Sequence, residues 1–495
     1  MDSSNNVYVG ANVRNEVSTA YPTHFSPTDF LPPWPTDPNA IDAAYKTAYL
    51  VKYDTNGQFQ WKKALQGDVN LYNKDSFIYD ITIDSNDNIH FIAGFLNGTH
   101  LDNTITVPST FTNAYQYYAV KFDTAGNYNS TLLPVTGHFA EPSFTFRYDE
   151  PRNRYLIGGF RSRVNANEDI PLTYDGTAFT ENAYILAIDA TNGNEIWRRE
   201  MEATAIANDN RIYDLVVDET NGDIYISGKL VATGQPGEYI RIKDPKNTSA
   251  TPFTFNIAVW GNMPFIAKLN SSGTAQWART PSGYTWSTAQ TGDYWGFGLA
   301  LRGGEVAFAT MGSHTIWDGF SINRPQGHQS DPMLMRFSKQ TGNVLAMHDI
   351  EGSTGNNHML TAVAVDNDGN YVVGGCYQGN LFTGGGNVGL LGAIGKYDFF
   401  VAKLAASVCG TSVSNEEFNK LNVNVYPNPT TDIVNIETAE TLQSYEVYNV
   451  LGQQIQKGNF NGNTQINLHG ATAGTYFIKV TTTQGSADTV KVVKK

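Results

Sequence analysis

Along the first four-fifths of the chain, short runs of alternating apolar and polar residues are separated by clusters of Asp, Asn, Gly and Thr. That period of two belongs to half-buried strands, and sustained helical spacing is scarce. The runs recur as a unit in two halves. The first half reads strand, Asp, polar turn, strand, Gly, as in IYDITIDSNDNIHFIAG (Ile78 to Gly94), IYDLVVDETNGDIYISG (Ile212 to Gly228) and LTAVAVDNDGNYVVGG (Leu360 to Gly375). The second half reads strand, turn, Gly, strand, often ending in Trp, as in YLVKYDTNGQFQW (Tyr49 to Trp61) and IAKLNSSGTAQW (Ile266 to Trp277). Four strands per unit and about six units predict an all-β fold, a β-propeller of four-stranded blades over residues 1–407, because blades stacked round an axis bury faces that one meander cannot.

Parity along such a meander puts the long connections on one face. These segments are rich in aromatics and proline: YPTHFSPTDFLPPWP (Tyr21 to Pro35), PSGYTWSTAQTGDYW (Pro281 to Trp295) and TIWDGF (Thr315 to Phe320). Flat rings beside amides and carboxylates suit sugars or extended peptides. Trp34, Tyr284, Trp286 and Trp317 are the candidate ligand-binding residues, the competing reading being that such rings pin long loops to the blade tops. The start of the chain, MDSSNNVYVG, aligns inside the repeat, with Asp2 on Asp84 and Tyr8 on His90. The first blade therefore lacks its first strand, and Met1 reads as an internal start with any signal peptide upstream.

Past a linker at 408–420 the pattern shortens. DIVNIE, YEVYNV, TQINL, TYFIKV and TVKVV are strands of a small immunoglobulin-like β-sandwich over 421–495. NVYPNPTTD (Asn424 to Asp432), YNVLGQQI (Tyr448 to Ile455), INLHGATAGTYFIKV (Ile466 to Val480) and a terminal KVVKK occur in order. This segment resembles the type A C-terminal sorting domain of type IX secretion substrates, a system of Bacteroidota. The resemblance implies export, the secretion machinery and its sortase as partners, and an extracellular or outer-membrane-surface location. It places the sorting motif at Tyr426, Pro427, Asn428, Pro429, Gly452, Gly474, Tyr476, Lys479 and Lys491. From the residues alone, Pro427 and Pro429 fix an extended entry, Gly452 and Gly474 supply turns, and the terminal lysines form a solvated edge. The preceding repeats resemble the SBBP-type bacterial β-propeller family.

Composition narrows the chemistry. A formal net charge of -14 over 495 residues leaves no basic stripe for nucleic acid, and no apolar run is long enough to span a bilayer. The two cysteines, Cys376 and Cys409, read in an exported protein as a disulfide. No catalytic residue, metal site or cofactor is expected: DSNDN (Asp84 to Asn88) and DNDGN (Asp366 to Asn370) offer oxygens to Ca2+, but lack the spacing of a calcium loop and read as hairpin turns. LAIDATNGNEIWRRE (Leu186 to Glu200) is weakly similar to quinoprotein propellers, but only one or two repeats carry it. The expected function is a surface binding or adhesion module for a glycan or protein. The alternative is a polysaccharide hydrolase drawing a carboxylate pair from Asp29, Asp37, Glu168, Asp169, Asp293 and Asp318.

Overall fold

Each repeat folds as an antiparallel meander joined by tight polar turns, many of which open on an Asp or Asn. We describe a computed structural model, in which residues 1–15, 23–30, 45–65, 76–96, 98–101, 103–108, 115–132, 135–136, 144–160, 172–204, 209–284, 296–325, 327–385, 388–404, 423–438, 440–450, 452–483 and 487–495 are described. The chain divides into two compact units, Met1–Leu404 and Ala405–Lys495.

Among the described residues the first unit holds six successive meander sheets, with smaller hairpin sheets in the connections. Sheet one has three strands, Val7–Asn15, Tyr45–Tyr53 and Phe59–Ala64. The core of sheet two is Ser76–Ile83, Ile89–Phe95, Gln116–Phe122 and Tyr128–Thr131, and that of sheet three is Phe144–Asp149, Arg154–Phe160, Ala183–Asp189 and Glu195–Ala203. Sheet four is Arg211–Asp218, Asp223–Ala232, Gly261–Leu269 and Ala275–Arg279. Sheet five is Gly296–Arg302, Glu305–Gly312, Asp331–Ser338 and Val344–Asp349. Sheet six has three strands, Met359–Val365, Tyr371–Tyr377 and Asp398–Leu404. The first strands of sheets two to six contact one another in chain order and so form an inner row.

The Asp of each turn explains the repeat's polar signature. Asp84 Oδ1 accepts the Asn86 and Asn88 amides at 3.0 and 2.8 Å, and Asp366 Oδ1 those of Asp368 and Asn370 at 3.0 and 2.7 Å. This Asx geometry closes the hairpin with the side chain itself. A basic residue of the third strand then reaches the carboxylate: Lys121 to Asp84 at 3.3 Å and Lys403 to Asp366 at 2.6 Å.

The faces between sheets are dry. Leu50 shares a core cluster with Ile78, Ala119 with Phe146, Ile185 with Leu215, Ile266 with Leu299 and Leu334 with Leu360. In each pair a third-strand residue lies under the first strand of the following sheet, which removes both from water.

The long connections between second and third strands are not open loops. Each carries a small hairpin: Gly98–His100 with Ile105–Val107, Thr173–Tyr174 with Thr177–Ala178, Ile240–Lys243 with Phe253–Thr254, Thr315–Trp317 with Phe320–Ser321, and Asn380–Leu381 with Leu391–Gly392. Each also bonds back to the sheet before it or to the chain just after it. Leu101 N–H donates to Leu65 O, Tyr174 pairs with Val135, Ile242 with Met201 and Tyr284 with Thr315, and Gly352 bridges Leu381.

The second unit packs a three-stranded sheet (Asn424–Tyr426, Ile433–Glu437, Gln465–Asn467) and a four-stranded one (Leu442–Asn449, Gln454–Asn459, Gly474–Thr482, Ala487–Lys494) around Val434, Ile436, Val447, Ile466, Ile478, Val480 and Val492. Seven short strands with period-two burial give the two-layer sandwich.

Candidate functional site

The inner row of first strands carries the most unusual polar chemistry of the first unit. A register shift interrupts four of these strands at one place, between Ile78 and Asp80, Ile212 and Asp214, Gly296 and Leu299, and Leu360 and Ala362. Such β-bulges turn side chains out of the ladder. At the bulges, Asp80 Oδ2 accepts the Phe146 amide of the next sheet at 2.9 Å, and Asp214 Oδ2 the Leu299 amide at 2.8 Å. Arg147, between them, donates from Nη1 to Asp80 at 2.5 Å and from Nη2 to Asp214 at 2.9 Å, so one guanidinium ties three sheets. Burial pushes the Asp214 carboxyl up, with Arg147 opposing and Asp80 adding to the rise.

This latch floors a cavity of about 380 Å³ lined by Arg147, Tyr213, Asp214, Phe297, Gly298, Leu299 and Thr361 to Val363. Tyr213 and Phe297 meet at 5.8 Å between ring centroids, and Phe160 stands 6.0 Å from Tyr213 on its other side. The cavity lies along the middle of the first strands: Asp214 faces Ser227, midway along Asp223–Ala232, and Leu299 is the midpoint of Gly296–Arg302. Aromatic rings, main-chain groups and a guanidinium already engaged by two carboxylates suit a hydroxyl-rich or peptide ligand.

The residues expected from sequence fall elsewhere. Trp317 is 1% exposed and packs edge-on against Phe308 and Phe337. The expectation that it faces a ligand is corrected: Asp318 and Gly319, with φ of 45° and 92°, make TIWDGF a tight hairpin that turns the indole inward. Tyr284 is half-buried at the edge of that hairpin. Trp34 and Trp286 lie outside the described residues, as do Asp37, Glu168, Asp169 and Asp293. Asp29 pairs with Lys62, and Asp318 stands 3.8 Å from Arg279, so neither joins a carboxylate pair among the described residues. Cys376, its thiol pushed up by burial, lies on the second strand of sheet six, and Cys409 lies outside the described residues. The tyrosine and aspartate of the IYD triplets, Tyr213, Asp80 and Asp214, were visible as a repeat, but nothing in sequence spacing joins them to Arg147. The nine histidines, scattered in sequence, are also partly gathered by the fold: His328 Nε2 lies 3.0 Å from Asp331, and the pKa of the buried His358 is lowered mainly by its burial, with Asp331 and His328 nearby.

In the second unit the motif residues line the last strand. Asn428 donates to Lys491 O at 2.7 Å and accepts from the Val493 amide at 2.9 Å, holding the segment of Tyr426, Pro427 and Pro429 along that edge. Both Tyr426-Pro427 and Asn428-Pro429 are cis. Gly452 turns the chain at φ 77°, whereas Gly474 opens a strand and has no positive φ. Tyr476 is buried and donates to Thr472 O at 2.6 Å, and Lys479 lies 3.6 Å from Glu446. The terminal lysines are not all solvated: Lys491 is exposed, but Lys494 is buried, with its ammonium donating to Leu468 O and Ala471 O at 2.7 and 2.8 Å and lying 3.2 Å from Asp432. Residues 424–495 match the family of secretion system C-terminal sorting domains. The sorting domain implies handling by the type IX secretion machinery and export to the cell surface or extracellular space. Among the described residues no helix is long and apolar enough to cross a membrane.

Comparison with curated proteins gives no match. Solved structures similar to the chain include a europium-containing methanol dehydrogenase, 9% identical with a TM-score of 0.29 over 67% of this chain and 61% of that one. Pyrococcus horikoshii acylaminoacyl peptidase is 11% identical at a TM-score of 0.27, over 80% of this chain and 53% of that one. An exo-beta-1,3-galactanase from Clostridium thermocellum is 10% identical at a TM-score of 0.25, over 89% and 84%. The chain thus spans less than two thirds of the first two, and likeness of this degree assigns no chemistry.

Proposed function

We propose that the first unit is an extracellular six-bladed β-propeller of a Bacteroidota cell, a binding or adhesion module delivered by its sorting domain. The six sheets are its blades, the inner row of first strands faces its axis, and the ligand is a glycan or a protein segment. The observation that carries the reading is the aromatic-lined cavity on the row of first strands. Tyr213 and Phe297 supply ring faces there, while the Arg147 guanidinium is already held by Asp80 and Asp214.

A second reading, hydrolysis of a polysaccharide, draws on Asp80 and Asp214, two carboxylates bridged by one arginine, with the Asp214 carboxyl held above its usual range by burial. Against it, both Asp214 oxygens already accept, from Arg147 and the Leu215 and Leu299 amides.

The test is a glycan array and polysaccharide pull-down with the full chain, with turnover assayed on the same polysaccharides. Saturable binding that weakens at least tenfold in Tyr213→Ala and Phe297→Ala supports capture. Product release abolished by Asp214→Asn establishes the second reading, and retention unaffected by either aromatic change overturns the cavity as the site.

A further inference from the structure

At one register position along the inner row, the first-strand amide is met by a carboxylate in four consecutive sheets. Asp80 accepts from Ile81 of its own sheet at 2.8 Å and from Phe146 of the next at 2.9 Å, one oxygen to each. Asp214 does the same for Leu215 and Leu299, both at 2.8 Å. Two aspartates therefore serve sheets two to five in pairs.

Sheet six stands outside the pattern. Val363, opposite Val373, holds the position of Ile81, Phe146, Leu215 and Leu299. The residue before it is Ala362, and the residue of sheet five in the place of Asp214 is Gly298, so neither brings a carboxylate to this amide. By register the Val363 N–H points out of its ladder as the other four do, and Val363 and Gly298 both line the cavity. A Cβ on Gly298 would lie 3.1 Å from Val363 N and 3.1 Å from Thr361 O, so that point is within hydrogen-bond reach of one main-chain donor and one main-chain acceptor. Thr361 and Ala362 beside it are exposed.

This pairing sorts ligand groups. A carboxylate or carbonyl accepts but does not donate, an ammonium donates but does not accept, and a hydroxyl does both. Charge sorts them the same way: the latch holds two carboxylates to one guanidinium, so a further anion is poorly matched. Resting on the capture reading above, we infer that the cavity is keyed to an uncharged sugar. One of its hydroxyls takes the place of the missing aspartate, accepting from Val363 N–H and donating to Thr361 O, while its ring lies against Tyr213 and Phe297.

The test is calorimetric titration of the full chain with oligosaccharides of glucose, mannose and galactose, and with oligogalacturonate. At least one neutral oligosaccharide is expected to bind, oligogalacturonate to bind about tenfold more weakly than oligogalactose, and amide exchange across Met359–Val365 to slow on saturation. Ala362→Asp, at an exposed site, supplies Val363 with the cap that Asp214 gives Leu215, and should weaken binding about tenfold. Gly298→Asp offers the same cap from sheet five as a second variant. Ala364→Asp puts an equal charge on an exposed position two residues further along the strand, and should leave binding unchanged. Sugar binding lost in Tyr213→Ala but indifferent to Ala362→Asp and Gly298→Asp overturns the hydroxyl anchor and leaves capture in the cavity standing. Preference for oligogalacturonate, or binding confined to peptides on an array, overturns the choice of an uncharged sugar. Binding indifferent to all these changes, or no binding, overturns both readings.

Discussion

Arg147 and Asp214 sit on neighbouring sheets and meet at 2.9 Å, the guanidinium 26% and the carboxylate 16% exposed. Each comes from a first strand, and Asp214 also caps the Leu299 amide one sheet further on. Replacing Arg147 with Met leaves two carboxylates facing one another without a cation. We expect a loss of about 3 kcal/mol by denaturant unfolding, the lower end for a broken buried pair because the site is partly open. Adding Asp80→Asn to Arg147→Met should recover part of it, and a double-mutant cycle measures how much.

His90 and Asp84 give the first unit an acid-sensitive side. Burial raises the Asp84 carboxyl, but hydrogen bonds from His90 and Asn88 outweigh this and hold it down at about 2. Burial lowers His90, and likewise His314, His348 and His358. A histidine whose folded pKa lies below its unfolded value of about 6.5 binds its proton more readily in the unfolded chain, so its contribution is complete above that pH and is lost as pH falls. The melting temperature is therefore expected to hold between about pH 7 and 8 and to fall below about pH 6.5. A further loss from Asp84 sets in as pH drops from about 4 toward 2. His90→Gln should flatten the upper part of the decline.

Gly228 and Gly375 occupy the same register position opposite a bulge. A Cβ on either would lie 1.9 Å from a carbonyl oxygen, that of Arg211 or of Met359. Neither has a positive φ, so the constraint is space and not backbone conformation. Gly228→Ala is expected to destabilise the first unit by at least about 1–3 kcal/mol, whereas Ala at Gly57, where a side chain meets nothing within 4 Å, should show only the smaller cost of its φ of 74°.

Lys494 holds the end of the sorting domain through the Leu468 and Ala471 carbonyls. Lys494→Met keeps the apolar stem but leaves buried acceptors unmet. A loss of about 1–3 kcal/mol is expected for this unit, read by amide exchange on Ala487–Lys494. Lys491→Met, at an exposed site, should leave that exchange unchanged. Deleting residues 421–495 from the gene should retain the first unit inside the cell envelope, measured by surface proteolysis.

Strand order and turn positions were legible because they rest on local chemistry: the Asp at 84 and 366 shapes its own turn, whatever packs around it. The latch was not. Asp80, Arg147 and Asp214 are about 67 residues apart in sequence, and only the stacking of one repeat on the next, with a bulge that swings the carboxylates outward, brings them together. Trp317 misled for a related reason. Aromatic residues in a long connection look like a platform when the connection is imagined as open, and the Asp318-Gly319 turn folds it shut. Lys494 shows the limit of reading charge as exposure, since its ammonium finds three main-chain carbonyls, those of Leu468, His469 and Ala471, in place of water.

The five connection hairpins each grip the sheet made before them or the chain just after it. A chain emerging N-terminus first therefore finishes each sheet one step late, when the hairpin of its successor arrives to clasp it. Assembly becomes directional, like overlapping roof tiles laid from one eave, and among the described residues sheet six is the tile with nothing laid over it.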